Sequence, residues 1–214
     1  MKRGFKKYLI VSIGLLTSFI LWTVSVCFID VSYIGPNNSA VGFSTVNGFV
    51  HRFTGVNWTL YTLTDWLSLV PVGICAGFGI LGLFQWIKKK SIRKVDFDII
   101  ALGIFYTAVI AVYVLFEIIV INRRPVLIDG YLEVSYPSST TLLFLTVMPT
   151  ALMQFNMRIK KRRAKILLSF FLTAFTFTMV LFRLISGVHW FTDIVGGVLI
   201  SSSLVTMYFP FCKN

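Results

Sequence analysis

Three short segments carry residue types that could do chemistry together. In Arg183-Leu184-Ile185-Ser186-Gly187-Val188-His189-Trp190-Phe191-Thr192-Asp193, His189 and Asp193 stand four apart where an apolar run begins, so on a helix they share a face. A carboxylate so placed holds one imidazole nitrogen and leaves the other free as nucleophile or base. Arg183 in this segment and Arg124 in Asn122-Arg123-Arg124-Pro125 offer planar forks suited to bidentate phosphate binding. In Tyr136-Pro137-Ser138-Ser139-Thr140-Thr141 a helix is predicted to begin after Pro137. There the hydroxyls of Ser138 and Ser139, with the free N–H groups of a positive helix end, make an anion site. Two arginines, a helix N-terminus and a carboxylate-braced histidine describe phosphoryl transfer. No carboxylate cluster suited to magnesium is visible, so neither metal nor other cofactor is expected.

Positioning these residues falls to an unusually apolar chain. Of 214 residues 57% are hydrophobic and 13% charged, with mean hydropathy +0.83. Soluble domains carry about 25% charged residues, and disorder needs low hydrophobicity, so both classes are excluded. Six runs are long and apolar enough to span a bilayer: about 8–29, 67–87, 97–121, 141–157, 166–186 and 190–210. The first follows a basic start but is longer than the apolar part of a signal peptide and lacks a small-residue cleavage site, so it reads as a retained anchor.

The net charge of +12 is distributed by side. Lys2, Arg3, Lys6 and Lys7 precede the first run, and Lys88, Lys89, Lys90, Arg93 and Lys94 follow the second. Arg158, Lys160, Lys161, Arg162, Arg163 and Lys165 follow the fourth, and Lys213 follows the sixth. These are 16 of the 20 basic residues; only Arg52, Arg123, Arg124 and Arg183 fall on the other side. The positive-inside rule then predicts cytoplasmic termini and an outward-facing site, in a bacterial cell membrane. The basic clusters are expected beside anionic lipid and imply no nucleic-acid partner. Glu117 and Asp193 fall within runs, near their outer ends, and are functional candidates by that depth.

The outer loop, about 30–66, holds one amphipathic stretch. Val46, Phe49, Val50 and Phe53 are spaced for one helix face, with Ser44 or Thr45 to cap it and Gly55 to end it. A short helix lying at the outer interface is predicted, with His51 and Arg52 on its polar face. Gly77-Phe78-Gly79-Ile80-Leu81-Gly82 matches a dinucleotide fingerprint but has no strand before it, and helix packing explains it better. Cys27, Cys75 and Cys212 show no metal or disulfide spacing. The expected fold is thus all-α: one domain over 1–214, an integral-membrane bundle of six transmembrane helices with a short interfacial helix in the first outer loop.

The three segments resemble, in order and type, the signature motifs of the type-2 phosphatidic acid phosphatase superfamily: K-x-x-x-x-x-x-R-P, P-S-G-H and S-R-x-x-x-x-x-H-x-x-x-D. Arg183, His189 and Asp193 keep both spacings of the last, with Phe182 for its Ser; Arg124-Pro125 and Pro137-Ser138 keep parts of the others. The resemblance implies that His189 attacks phosphorus to form a phosphohistidine that water hydrolyses. It implies that Asp193 orients it, and that Arg124, Arg183 and Ser138 hold the phosphoryl oxygens. The substrate implied is a phosphorylated lipid.

Two positions depart from that pattern. The motif's Lys is Glu117 here, seven residues before Arg124, where pairing with Arg123 or Arg124, or protonation, is open to it. The His that would protonate the leaving group is Thr140, whose hydroxyl is no acid near neutral pH. Either the acid comes from elsewhere (Glu133 being the weak candidate, Asp129 and Glu133 otherwise being solvated), or the reaction needs none, or the protein binds without turnover. A diphosphate expels a phosphate of pKa about 6 and an alcohol ester an alkoxide whose acid is near 15.7, so an unassisted site favours an isoprenoid diphosphate over phosphatidic acid or phosphatidylglycerol phosphate. A lipid phosphotransferase with the same site is the third alternative.

The charge distribution makes a direct prediction. Cysteines introduced at Asp129 and Ala40 are labelled by an impermeant reagent on sealed cells, and one at Ser91 is not; labelling at Ser91 reverses the orientation.

Overall fold

The computed structural model describes residues 2–212, with side chains from residue 5 onward; the expectations for the side chains of Lys2 and Arg3, and for Lys213, fall outside these described residues. Eight α-helices follow in order: α1 Lys2–Phe28, α2 Ser44–Thr54, α3 Trp58–Leu67, α4 Leu69–Lys89, α5 Phe97–Ile118, α6 Ser139–Arg158, α7 Arg162–Ile185 and α8 Phe191–Tyr208. Among the described residues, β pairing is limited to isolated bridges. The protein is all-helical, as expected.

Five segments are long and apolar enough to cross a membrane: Phe5–Phe28, Trp58–Lys89, Phe97–Ile118, Arg162–Ile185 and Phe191–Cys212. The second starts nine residues before the predicted run at 67. Asn57 Oδ1 accepts from Leu60 N at 3.0 Å and caps α3, which continues into α4 through a kink at Ser68. Pro71, with no N–H and a ring that crowds the carbonyl one turn back, accounts for the kink. Residues 58–66, expected in the outer loop, are therefore helical; Thr59, Tyr61, Thr62, Thr64 and Asp65 had lowered the local hydropathy.

The remaining predicted run, 141–157, forms α6, which is less apolar than the other five. It packs against α4, α5, α7 and α8 and buries Thr141, Thr146, Thr150 and Gln154. Thr146 and Thr150 each donate to a carbonyl one turn back, both at 2.7 Å, and Gln154 Nε2 donates to the Tyr208 hydroxyl at 2.7 Å. A helix surrounded by protein can carry such residues, because its neighbours satisfy them. α1 and α8 pair through reciprocal bonds: Ser12 Oγ donates to the Ser203 carbonyl and Ser203 Oγ to the Ser12 carbonyl, each at 2.9 Å. At the basic end, Arg158 pairs with Asp98 at 2.6 Å, and Phe211 meets Phe5 and Phe97.

α2 forms where the alternation predicted it and ends at Gly55 with φ of +61°. Its cap comes from outside the predicted residues: the Asp30 carboxylate accepts from Ser44 Oγ at 2.9 Å and Thr45 N at 2.8 Å. Val46, Phe49 and Phe53 point away from the bundle, while Asn47 is fully buried. Asn47 Nδ2 donates to the Gly42 carbonyl and to Thr192 Oγ1, and its Oδ1 accepts from Thr192 N. His51, predicted on a free polar face, is half-buried with its ring 5.5 Å from that of Trp190. Asn57 N donates to the Ser186 carbonyl at 2.9 Å. The polar side of α2 therefore straps the 186–192 loop, an arrangement that the apolar pattern alone did not show.

The strap tolerates no side chain at Gly187, where φ is +67° and a Cβ would lie 1.8 Å from the Gly55 carbonyl oxygen. Gly187→Ala is expected to cost at least about 2 kcal/mol from backbone strain and overpacking together. A lowered Tm in detergent, read beside the neutral control Gly77→Ala, checks it.

Candidate active site

The site begins with a turn. Asp129 and Gly130 have φ of +49° and +84°, and Ile128 and Tyr131 exchange both backbone hydrogen bonds across them, at 2.8 and 2.9 Å. Two positive φ values match the right-handed twist of a tight hairpin, and Asp-Gly is a favoured pair for it. The two arms zip back along each other: Arg124 N donates to the Glu133 carbonyl and Ser135 N to the Asn122 carbonyl, both at 3.0 Å. Asn122, Arg124, Glu133 and Ser135 are thereby carried on one hairpin between α5 and α6.

That hairpin meets the loop between α7 and α8. His189 is 4% exposed. Arg124 Nη1 lies 3.3 Å from His189 Nε2, and Ser135 Oγ lies 3.2 Å from His189 Nδ1. Asp193 Oδ2 is 3.7 Å from Nδ1, beyond hydrogen-bond reach, and His189 lies in the loop before α8 rather than on a helix face shared with Asp193. Its carboxylate accepts from Asn122 Nδ2 at 3.1 Å, from Trp190 N at 2.9 Å and from Ser135 Oγ. Burial, then the charges of Arg124 and Arg183, hold the His189 imidazole well below its ordinary value of 6.5, so it stands neutral.

A cavity of about 420 Å³ opens on this cluster, lined among others by Glu117, Arg124, Glu133, Ser135, Ser139 and His189. The predicted residues divide around it. Arg124, Ser139, Glu117 and His189 line it, and Asp193 sits behind the histidine. Ser138 is fully buried, its Oγ accepting from Thr141 N at 3.4 Å and Thr141 Oγ1 at 3.0 Å as the cap of α6. Arg183 is set back, donating from Nη1 to Thr64 Oγ1 at 3.2 Å with its guanidinium 4.9 Å from the Tyr61 ring centre. Thr140 lines a neighbouring cavity of about 300 Å³ with Asp65, and Tyr113, Ser139 and Leu142 border both spaces.

The two acids near the cavity are placed differently. Glu133 is exposed, as expected, and also places Oε2 2.9 Å from Arg124 Nε, at ion-pair distance though not aligned as a hydrogen bond. Arg123 turns to the Leu132 carbonyl, at 3.0 Å, and among the described residues Glu117 forms an ion pair with neither arginine. Ser135 and Asn122 were not singled out from the sequence. The Asp129-Gly130 pair was the available signal, since a two-residue turn there brings the segments before and after it face to face.

A buried histidine facing an arginine across a cavity in a helical membrane protein is an arrangement suited to phosphorylated groups. The family is settled by sequence: residues 39–214 match the PAP2 superfamily, a phosphatase family, and the chain belongs to it. The fold agrees with the crystal structure of a transmembrane PAP2-type phosphatidylglycerolphosphate phosphatase from Bacillus subtilis, at TM-score 0.58 and 18% identity over 94% of each chain. A comparison with the curated proteins gives no match.

The ion pair at the mouth of the site has a measurable effect. An exposed pair is worth up to about 1 kcal/mol, so Glu133→Gln should tighten binding of inorganic phosphate by up to about fivefold by freeing Arg124. Phosphate titration by calorimetry reads this, and weaker binding in the variant would show that Glu133 helps to hold the ligand.

Proposed function

We propose that this chain is a membrane lipid phosphatase that cleaves a phosphorylated lipid through a phosphohistidine on His189. The observation that carries the reading is the convergence of His189 Nε2 and Arg124 on one cavity. A guanidinium can only donate, so Nε2 offers its lone pair on the side where Arg124 would hold a phosphoryl group. Attack forms the N–P bond as the bond from phosphorus to the lipid oxygen breaks, and the lipid leaves with that oxygen. Water then attacks phosphorus and the histidine leaves, releasing phosphate. Arg124 and Ser139 hold the phosphoryl oxygens at the cavity wall. Arg183 contributes charge from behind, and Ser138 shapes the helix end. None of these steps calls on a metal.

In this reading residues 1–214 form one membrane domain in a bacterial cell membrane. α6 is the sixth span, shielded by α4, α5, α7 and α8, and α2 lies along the outer interface with Phe49 and Phe53 in the lipid. The basic end is cytoplasmic and the cavity opens outward. Thr140 faces the neighbouring cavity, which supports an isoprenoid diphosphate as the preferred substrate, since its leaving group departs unprotonated. The second reading, a protein that binds lipid phosphate without turnover, draws on the Glu133–Arg124 pair, which occupies one edge of the fork.

The experiment is turnover of purified protein on farnesyl diphosphate and dioleoyl phosphatidic acid, scored as free phosphate. Release from the diphosphate, abolished in His189→Ala and surviving chelator, is the expected result. A neutral nucleophile is present above its pKa, and that pKa is depressed, so the acid limb of kcat/KM should lie below pH 6.5. Thr140→His should raise monoester turnover more than diphosphate turnover. Full activity of His189→Ala removes the mechanism, and binding of both lipids without phosphate release establishes the second reading.

A further inference from the structure

Resting on the phosphohistidine reading, one further role can be assigned. We propose that Ser135 is a positioning residue of the site: its hydroxyl, and not Asp193 directly, holds His189 Nδ1, and Asp193 acts on the imidazole through it.

The first ground is the saturation of the carboxylate. Asp193 is fully buried, and its oxygens accept from Asn122, Trp190 and Ser135, three donors from three segments. The imidazole is the group left outside hydrogen-bond reach, at 3.7 Å, while Ser135 Oγ stands at 3.2 Å.

The second ground is donor and acceptor arithmetic. A hydroxyl donates once and accepts twice. A carboxylate only accepts, so the single Ser135 proton goes to Asp193, and Oγ must accept from His189 Nδ1–H. On the other edge of the ring, Arg124 Nη1 can only donate, so Nε2 must be the unprotonated nitrogen. The two edges are set by different residues and require the same tautomer, the one with its lone pair on the nitrogen that faces the cavity.

The third ground is where the two residues come from. Ser135 and Arg124 sit on opposite arms of the same hairpin, each anchored by a backbone hydrogen bond of 3.0 Å. The hairpin therefore grips the imidazole by both nitrogens, and the ring's orientation does not rest on α8 alone. Ser135 is 3% exposed, so bulk water does not compete for Nδ1. When Nε2 takes a phosphoryl group the ring becomes cationic, and the hydroxyl passes the carboxylate's negative field to Nδ1 without a proton leaving the ring. Besides burial, Arg124 from the hairpin and Arg183 from α7 lower the ring's titration and the Ser135 backbone raises it, with the Asp193 carboxylate of α8 standing 3.7 Å from Nδ1.

Two measurements test the assignment. The chain has 2 histidines, so selective ¹⁵N-imidazole labelling gives two ring systems, separated by a His51→Gln control. In the wild type His189 is expected with a protonated, hydrogen-bonded Nδ1 and a bare Nε2. Ser135→Ala should move the Nδ1 signal and leave His51 unmoved. Ser135→Thr should restore it, and Ser135→Cys, which keeps the volume with a weak donor, should follow the alanine. In turnover of farnesyl diphosphate, loss of an outer partner of a working imidazole lowers kcat by about 10- to 100-fold. KM should be unchanged, and the acid limb should move to lower pH because the cationic ring loses support. An unprotonated Nδ1 in the wild type, or Ser135→Ala with the kcat, acid limb and Nδ1 signal of the wild type, overturns the assignment. If the wild type releases no phosphate, the phosphatase reading fails, while the labelled spectra still decide which group holds Nδ1.

Discussion

A single buried carboxylate organises the cavity end of this bundle. Asp193 sits at the start of α8 with no exposure, where an uncompensated charge would be very costly. Its compensation is drawn from every neighbouring segment: Asn122 and Ser135 from the two arms of the hairpin, and the Trp190 N–H from its own loop. Its backbone carbonyl accepts from Ser138 N at 3.1 Å, which ties the start of α6 to the same point. The hairpin, α6 and α8 therefore register against one another through one residue. Thr192 next to it binds Asn47 and so brings in α2.

Around that point the two arginines behave differently, for reasons of packing. Arg124 lies at the cavity wall on a backbone fixed by the hairpin, with its Nη1 toward the histidine. Arg183 comes from the last turn of α7 and is received by α3, where Tyr61 covers its face and Thr64 takes one N–H. Its charge still reaches His189, but its fork is partly spent on α3. The early start of α3, inside what reads as a loop, is what supplies those two residues. The N-terminal part of the second span thus serves the site as well as the membrane.

The sequence made the bundle legible because lipid imposes a simple requirement: a span must be long and apolar, and five of the six runs appear as such spans. It also made His189, Asp193 and Arg124 legible, because their types and spacings are tied to chemistry. What it hid were contacts set by the third dimension. α6 reads as a span by its Leu, Phe and Met content, yet its buried Thr and Gln reveal a central helix only once its neighbours are known. α2 shows an apolar stripe, and the natural inference is that the opposite side meets water; here that side meets protein through Asn47 and His51. Glu133 and Ser135 lie in a stretch with neither apolar period nor motif. Their placement depends on the two positive-φ residues at Asp129 and Gly130.

The electrostatics of the cavity follow from the same geometry. A neutral imidazole is wedged against Arg124 and within the field of Arg183, so the pocket presents positive charge without a competing cationic histidine. Glu133 balances part of that charge from the hairpin's outer arm, where it is 44% exposed and able to swing into water. In the proposed reading, an arriving phosphoryl group would bring more negative charge than one carboxylate and a better match to a planar fork, and so would displace Glu133 from Arg124. The released carboxylate would stay at the cavity rim, tethered to the backbone that holds Arg124. Exchange of one anion for another at Arg124 keeps the guanidinium compensated throughout. In the same reading, a phosphoryl group that draws Arg124 Nη1 away from His189 Nε2 would free the lone pair that nucleophilic attack requires.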